Sequence, residues 1–201
     1  MQHIGTRTIL TPRLALRRLA VQDADAMYTN WASDPKVTRY LRWPPHESPL
    51  ATAALLRGWE ADYASPETYQ WGIALRESGE LIGSISLMRG ENGSPAPWQA
   101  AGLDFSAGVW EPGYCIGRAW WGKGYTTEAL RAVCGYWFRD IGGAWLGCCH
   151  ALQNPASGRV MHKAGFVYDH DSLYHKLDGT PVECHVYVLK KPGQTAGQTP
   201  S

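Results

Sequence analysis

The chain lacks paired cysteines, a charge excess and long apolar runs, and each lack removes a class of function. Its 5 cysteines are Cys115, Cys134, Cys148, Cys149 and Cys184. The count is odd, no CxxC occurs and two are adjacent, so neither a disulfide framework nor a structural zinc site is expected. Buried free thiols are the expected state. Lys plus Arg number 19 and Asp plus Glu 18, a formal charge of +1; this is not the basic footprint of a nucleic-acid binder. No apolar run reaches the roughly 18 residues of a membrane-spanning helix. The opening Met1-Gln2-His3-Ile4-Gly5-Thr6-Arg7 has no secretory apolar stretch, which makes the cytosol the expected compartment. Phe is scarce at 3 residues, and 10 Trp supply the aromatic bulk, including Trp31, Trp43, Trp71 and Trp110.

What is present suits one globular domain. Of 201 residues, 44% are apolar and 18% charged, enough for a core and too little charge for disorder. The expected domain covers residues 8–190, and the Gly-, Gln-, Thr- and Pro-rich stretch 191–201 is expected to be a disordered tail. Residues 12–19 alternate like a strand. Asp23 and Asp25 open a helix, Asp34-Pro35 a short helical turn, and Ser48-Pro49 a longer helix with Ala51, Leu55, Leu56, Trp59 and Tyr63 on one face. Residues 69–76 and 81–88 form a hairpin about Ser78-Gly79. Residues 89–102 are a long loop, and 103–117 a strand. Apolar residues from Ala129 to Ile141 recur at helical spacing, stopped by Gly142-Gly143. Strand 144–151, a helix capped by Asn154-Pro155 and a closing hairpin complete a mixed α/β (α+β) order with a largely antiparallel sheet.

The segment Glu111-Pro112-Gly113-Tyr114-Cys115-Ile116-Gly117-Arg118-Ala119-Trp120-Trp121-Gly122-Lys123-Gly124-Tyr125-Thr126-Thr127 runs from strand through a Gly-rich turn into the strongest helix. Gly122 and Gly124 let backbone approach a ligand. The helix start adds unpaired N–H groups and partial positive charge, and Lys123 a full one: an anion site suited to a pyrophosphate. Gly117-x4-Gly122-Lys123 imitates a P-loop, but Gly124 stands where a hydroxyl must hold Mg²⁺, so a phosphotransferase is remote. Gly122-x-Gly124-x-x-Thr127 lacks the last Gly of a dinucleotide fingerprint.

A second motif follows, Asn154-Pro155-Ala156-Ser157-Gly158-Arg159-Val160-Met161. With the first, with Thr11-Pro12-Arg13-Leu14-x-Leu16-Arg17 and with Asp34-Pro35-x-Val37-x-x-Tyr40-Leu41, it resembles the GNAT N-acetyltransferases. The likeness is closest to the RimJ/RimL-like branch of ribosomal-protein N-terminal acetyltransferases, and it runs from about residue 11 to about residue 189.

The resemblance implies a GNAT fold, a mostly antiparallel sheet with a splayed central strand pair flanked by helices, and acetyl-CoA as co-substrate without a metal. It implies that Tyr114, Cys115, Ile116, Gly117 and Arg118 form the splayed strand facing the pantetheine arm. Gly122, Lys123, Gly124, Tyr125, Thr126 and Thr127 then form the pyrophosphate loop. Ala119 departs from the Gln or Arg frequent in the family, with Arg118 as the neighbour to stand in. Asn154 matches a cofactor contact, beside its plainer role as helix cap. Glu111 matches the family's base, although Pro112 is unusual and a solvated Glu at a strand start is the plain alternative. The Tyr that serves many relatives as general acid is Met161 here, leaving Ser157 as acid and thiol contact. His150 is a second candidate base. Cys148-Cys149-His150 alternates across a strand, which disfavours a metal cluster. Trp31, Arg39, Tyr40 and Trp43 match the acceptor wall, with the loop 89–102 as its cover.

The expected activity is acetyl transfer to a primary amine, a protein N-terminus or a small molecule, by a monomer or homodimer, with neither nucleic acid nor membrane as partner. The alternative is a non-catalytic acyl-CoA-binding module on the same fold.

Overall fold

The computed structural model describes residues 1–90 and 98–193. Residues 91–97 of the expected loop and 194–201 of the expected tail lie outside the described residues. Two antiparallel sheets form the framework. The first has the order β1 (Ile9–Leu10), β2 (Leu14–Arg17), β3 (Tyr69–Leu75), β4 (Leu81–Arg89), β5 (Trp110–Ile116). The second is β6 (Trp145–Ala151), β8 (Pro181–Lys190), β7 (Val167–His175). Helices α1 (Ala24–Met27), α2 (Pro35–Thr38) and α3 (Pro49–Asp62) precede β3. Helix α4 (Tyr125–Tyr136) joins β5 to β6, and α5 (Pro155–Ala164) joins β6 to β7.

Strand alternation divides the apolar residues between two faces. Leu14, Leu16, Trp71 and Ile73 pack with Leu130, Val133 and Trp137 of the α4 region. Ala74 and Leu81 pack with Met27, Trp31 and Leu56 beneath α1 and α3. The expected acidic start of α1 is real in part: Asp23 accepts from the Ala20 amide at 2.9 Å and holds Arg17 at 2.8 Å.

Two expectations change. Helix α3 buries Thr52, Ala53 and Leu56, with Trp59 and Tyr63 half-buried, while Ala51 and Leu55 face solvent. Thr52 can turn inward because its hydroxyl is satisfied by the His46 ring at 2.8 Å and the Ser48 carbonyl at 3.3 Å. Tyr63 fixes the other end of the helix, accepting from the Leu19 amide at 3.0 Å and donating to the Gln70 carbonyl at 2.9 Å. The strand expected over 103–117 starts only at Trp110. Asp104 accepts from the Ser106 amide, and Gly108 adopts φ +75°, so the chain turns before it can pair.

The sheet is split, as the expected splayed strand pair requires. Among the described residues no ladder joins β5 to β6. They meet where the Cys148 thiol donates to the Pro112 carbonyl at 3.4 Å. A residue's N–H and C=O leave a strand on the same edge. Pro112 therefore removes a donor from the edge facing β6, where ladder pairing would need one. Alternation turns the N–H groups of Tyr114 and Ile116 to that same edge, while Gly113 and Gly117 face β4. The splayed strand pair expected from the resemblance is thus the seam between the sheets.

Candidate active site

The seam opens into a cavity of about 1070 Å³ walled by β4, β5, β6, the start of α4, one face of α5 and the segment around Tyr40.

At one end lies the Gly-rich turn. Gly122 and Gly124 hold φ +75° and +80°, left-handed values that cost a side-chain-bearing residue strain. A Cβ at Gly122 would meet nothing within 4 Å, so conformation, and not crowding, is what requires glycine there. Gly124 caps α4, and among the described residues no side chain bonds the first-turn amides, which leaves donors of the kind that bind anions. The one acid in that turn, Glu128, is turned away: it accepts from the Thr11 hydroxyl at 2.7 Å and the Arg13 amide at 2.9 Å, and pairs with the Arg13 guanidinium at 2.6 Å. Cys115, Ile116, Gly122, Gly124, Thr126 and Thr127 line the cavity.

Gly117, Arg118, Lys123 and Tyr125 do not line it. Gly117 is a packing glycine, since a Cβ there would lie 2.3 Å from the Asn30 carbonyl. Arg118 does not stand in for the missing Gln or Arg at Ala119, because its guanidinium is paired with Asp34. The carbonyl of Lys123 accepts from Arg13 at 2.9 Å, and the same guanidinium lies 4.5 Å from the Tyr125 ring. Arg13, from a separate sequence motif, therefore braces the turn from outside.

At the centre, the Tyr114 phenol and the Ser157 hydroxyl are 2.8 Å apart. Burial pushes the Tyr114 phenol well above its usual range, so it stays protonated. Asn154 accepts from the Ser157 amide through Oδ1 at 3.4 Å. Its cap role uses the oxygen, and its Nδ2 donates to no described residue. His150 also lines the cavity. Its Nδ1 lies 2.8 Å from the Ala151 carbonyl, which can only accept, so Nδ1 carries the proton. Nε2 keeps a lone pair, 3.4 Å from the Tyr187 hydroxyl, and burial lowers the ring's affinity for a second proton.

Glu111 lines the cavity on the far side of Tyr114. Burial raises its carboxyl above the usual carboxylate range, opposed by the charge of Arg42. A buried carboxylate that holds a proton more tightly is a better base near neutrality.

Of the four residues expected at an acceptor wall, Tyr40 and Trp43 line the cavity. Trp31 does not: at 0% exposure it is core under the helix pair. Arg39 does not either; its guanidinium lies 5.2 Å from the Tyr40 ring, outside the lining. The cation that faces Glu111 is Arg42, and Trp59, Met88 and Tyr174 complete this wall. None of these four was singled out as acceptor wall from sequence. Arg42 lies within the Arg39–Trp43 stretch, and Trp59 on the expected inner face of α3.

The cysteines are free. Burial raises Cys115 to about 11 and Cys134 to about 12, which keeps both as unreactive thiols. No cluster of three or more His, Cys, Asp or Glu side chains suited to a metal occurs among the described residues. No described helix is long and apolar enough to cross a membrane.

Comparison with known proteins sets this geometry in a family. The acetyltransferase (GNAT) domain model matches residues 13–167. The chain is 31% identical over 183 residues to the protein named uncharacterized N-acetyltransferase YoaA of Bacillus subtilis (strain 168), covering 90% of this chain and 96% of that one. A GNAT-family acetyltransferase from Bacillus anthracis superposes with a TM-score of 0.72 at 18% identity, covering 92% of this chain and 98% of the other. The ribosomal-protein-S5-alanine acetyltransferase from Vibrio fischeri superposes at 0.68 and 14%, covering 94% and 99%. A fold built on a split between antiparallel sheets, with a glycine turn opening α4 at the seam, is thus matched both by the family model over most of the chain and by a full-length relative, and the chain belongs to the GNAT acetyltransferase family.

Proposed function

We propose that the chain moves an acetyl group from acetyl-CoA to a primary amine by direct attack on the thioester. The supporting observation is that one cavity is lined by the glycine turn opening α4, the Tyr114–Ser157 hydroxyl pair, Glu111 and the aromatic side chains Tyr40, Trp43 and Trp59, with Glu111, Tyr114 and the turn following one another along β5 and out of it. The anion end fits a pyrophosphate, since its donors are backbone amides and its one carboxylate is already paired. Asn154 Nδ2 is placed to donate to the arm that follows. When bound, acetyl-CoA supplies an activated acyl group with a thiolate as leaving group.

The chain's own residues supply the rest. Glu111 takes a proton from the amine, directly or through water, because an ammonium has no lone pair to attack with. The Tyr114 amide, turned into the seam, is the donor for the oxyanion. Ser157, with Tyr114 behind it, returns a proton to the sulfur. Tyr40, Trp43 and Trp59 receive the acceptor. The structural likeness to a ribosomal-protein acetyltransferase, together with the RimJ/RimL-like motifs, makes a protein N-terminus the first acceptor class to test.

The test is acetyl-CoA-dependent thiol release across N-terminal peptides, polyamines, aminoglycosides and amino acids. Release with one class that Glu111→Gln abolishes supports the reading. A rise in melting temperature with acetyl-CoA, without release from any acceptor, favours the binding module instead.

A further inference from the structure

Two half-buried side chains of opposite charge, Arg42 and Glu111, line the same cavity. Both also line an adjoining chamber of about 40 Å³, roughly the room one water needs, so they lie close together. Yet they do not pair. The ion pairs among the described residues are Arg13–Glu128, Arg17–Asp23, Arg118–Asp34, His170–Asp169 and His185–Asp171. Arg42 and Glu111 belong to none, and neither side chain has a hydrogen bond among the described residues. Burial prevails over the charge of Arg42 at the Glu111 carboxyl, as it would for two groups held apart.

The backbone braces each of them. The Tyr174 hydroxyl donates to the Tyr40 carbonyl, Lys176 Nζ to the Arg39 carbonyl and the Leu177 amide to the Arg42 carbonyl, each at 2.8 Å. These bonds fasten residues 39–42 to the end of β7 and the turn after it, with the Arg42 guanidinium 5.8 Å from the Tyr174 ring. Glu111 is fixed by the β4–β5 ladder, opposite Met88. Two braced charges that leave each other's bonds unmade carry a desolvation cost, which a ligand bearing both opposite charges would relieve. Lys36, Asp62, Glu67 and Arg89 also line the cavity, but they are exposed, two of each sign, and screened by solvent.

We infer that the acceptor is a free α-amino acid: its ammonium faces Glu111, its carboxylate takes the planar fork of Arg42, and its side chain lies against Trp43 and Trp59. A simple amine would leave Arg42 without a partner. The first residue of a peptide offers a neutral amide where the carboxylate should be, and a guanidinium binds a carboxylate more strongly, through two parallel bonds. The inference rests on the acetyl-transfer reading with Glu111 as base, and narrows its acceptor. It places the free acid ahead of a protein N-terminus, because the charge pair belongs to this chain while the N-terminus was suggested by likeness. The balance is that of the proposed reaction. An N–C bond forms and the C–S bond breaks. Of the two protons the ammonium loses, one passes to Glu111 and the other, by way of Ser157, to the sulfur. The carboxylate on Arg42 is unchanged.

The first readout is binding to the full chain, by calorimetry in the presence of CoA, which has no acetyl group to give. The probes are the standard L-amino acids, each beside its C-terminal amide. At least one free acid should bind about tenfold or more tightly than its amide, and Arg42→Gln should bring the two within about twofold, with the melting temperature near wild type. Arg42→Lys, which keeps the charge and loses the fork, should fall between. The same acid-to-amide ratio should appear in kcat/KM for thiol release. Equal binding of acids and amides, or a ratio that Arg42→Gln leaves unmoved, overturns the inference. So does faster turnover of N-terminal peptides than of any free acid. Thiol release from no amine at all, with acid-over-amide binding intact, overturns the transfer reading instead, which is a separate result.

Discussion

At the Thr127 end of the cavity the polar groups are main-chain amides, presented by glycines at φ +75° and +80° and by the first turn of α4. At the Trp43 end they are side chains, Arg42 and Glu111 among Tyr40, Trp59 and Tyr174. In the function proposed above the first end meets the cofactor and the second meets the acceptor. A backbone site tolerates side-chain change but not a Cβ in the wrong conformation. A side-chain site has the reverse sensitivity. Opposite mutational signatures at the two ends follow.

The largest expected effect is at the acceptor end. Glu111→Gln keeps the shape and removes the proposed base, so turnover should fall about 10²- to 10⁴-fold. Acetyl-CoA affinity, read by calorimetry, should stay within about twofold, since nothing at the anion end depends on that side chain. A parallel loss of acetyl-CoA affinity would show that the two ends are not separable.

The donor end is tested by Gly124→Val against Gly79→Val. Both positions hold left-handed backbone, φ +80° and +74°, so both variants carry a strain of about 1–2 kcal/mol. Gly79 lies in the β3–β4 hairpin turn with nothing within 4 Å of a Cβ. Gly124→Val should weaken acetyl-CoA binding about tenfold or more, and Gly79→Val should lose stability alone. Equal affinities in the two variants would mean that the turn merely joins strand to helix.

The same contrast explains what could be read from sequence. The donor end is local: Gly122, Gly124 and the helix start lie within a few residues of each other, and Asn154 precedes the helix it caps. The hairpin about Gly79 was legible for the same reason. What escaped was assembled from distant segments. Tyr114 meets Ser157 43 residues away, and Arg118 is drawn off by Asp34 at 84 residues' separation. Tryptophans look alike in sequence, yet Trp31 is core and Trp59 lines the cavity. Helix α3 shifted its buried face because Thr52 found two partners, a long-range fact hidden from periodicity.

Between the two ends sits the Tyr114–Ser157 pair. Ser157→Ala should lower turnover about tenfold and leave acetyl-CoA binding nearly unchanged, because the Asn154 cap is made to the Ser157 amide, which the variant keeps. Tyr114→Phe should reproduce most of that loss, and the double variant should add little, if the two hydroxyls act as one unit. Unchanged turnover in Ser157→Ala would remove the pair from the mechanism.

The smallest effect is in stability, and its sign differs between the ends. Burial raises the Glu111 carboxyl, with Arg42 opposing. The folded chain therefore binds that proton more tightly than the unfolded chain, so stability falls as pH rises from the ordinary carboxylate value through the raised one. At Glu128 burial also pushes upward, but bonds from Thr11 and Arg13 outweigh it and the carboxyl is held low. Its contribution is present above the unfolded value and is lost as pH falls through the folded one. Melting temperatures of wild type, Glu111→Gln and Glu128→Gln across the acid range should therefore diverge in opposite directions. Relative to wild type, Glu111→Gln gains as pH rises, because it no longer holds a carboxylate against burial. Glu128→Gln is weakest at neutral pH and converges on wild type in acid, where wild type has lost the same ion pair. Curves that stay parallel for Glu111→Gln would mean that its carboxyl is solvated in the folded chain, and the base assigned to the acceptor end would lose its physical ground.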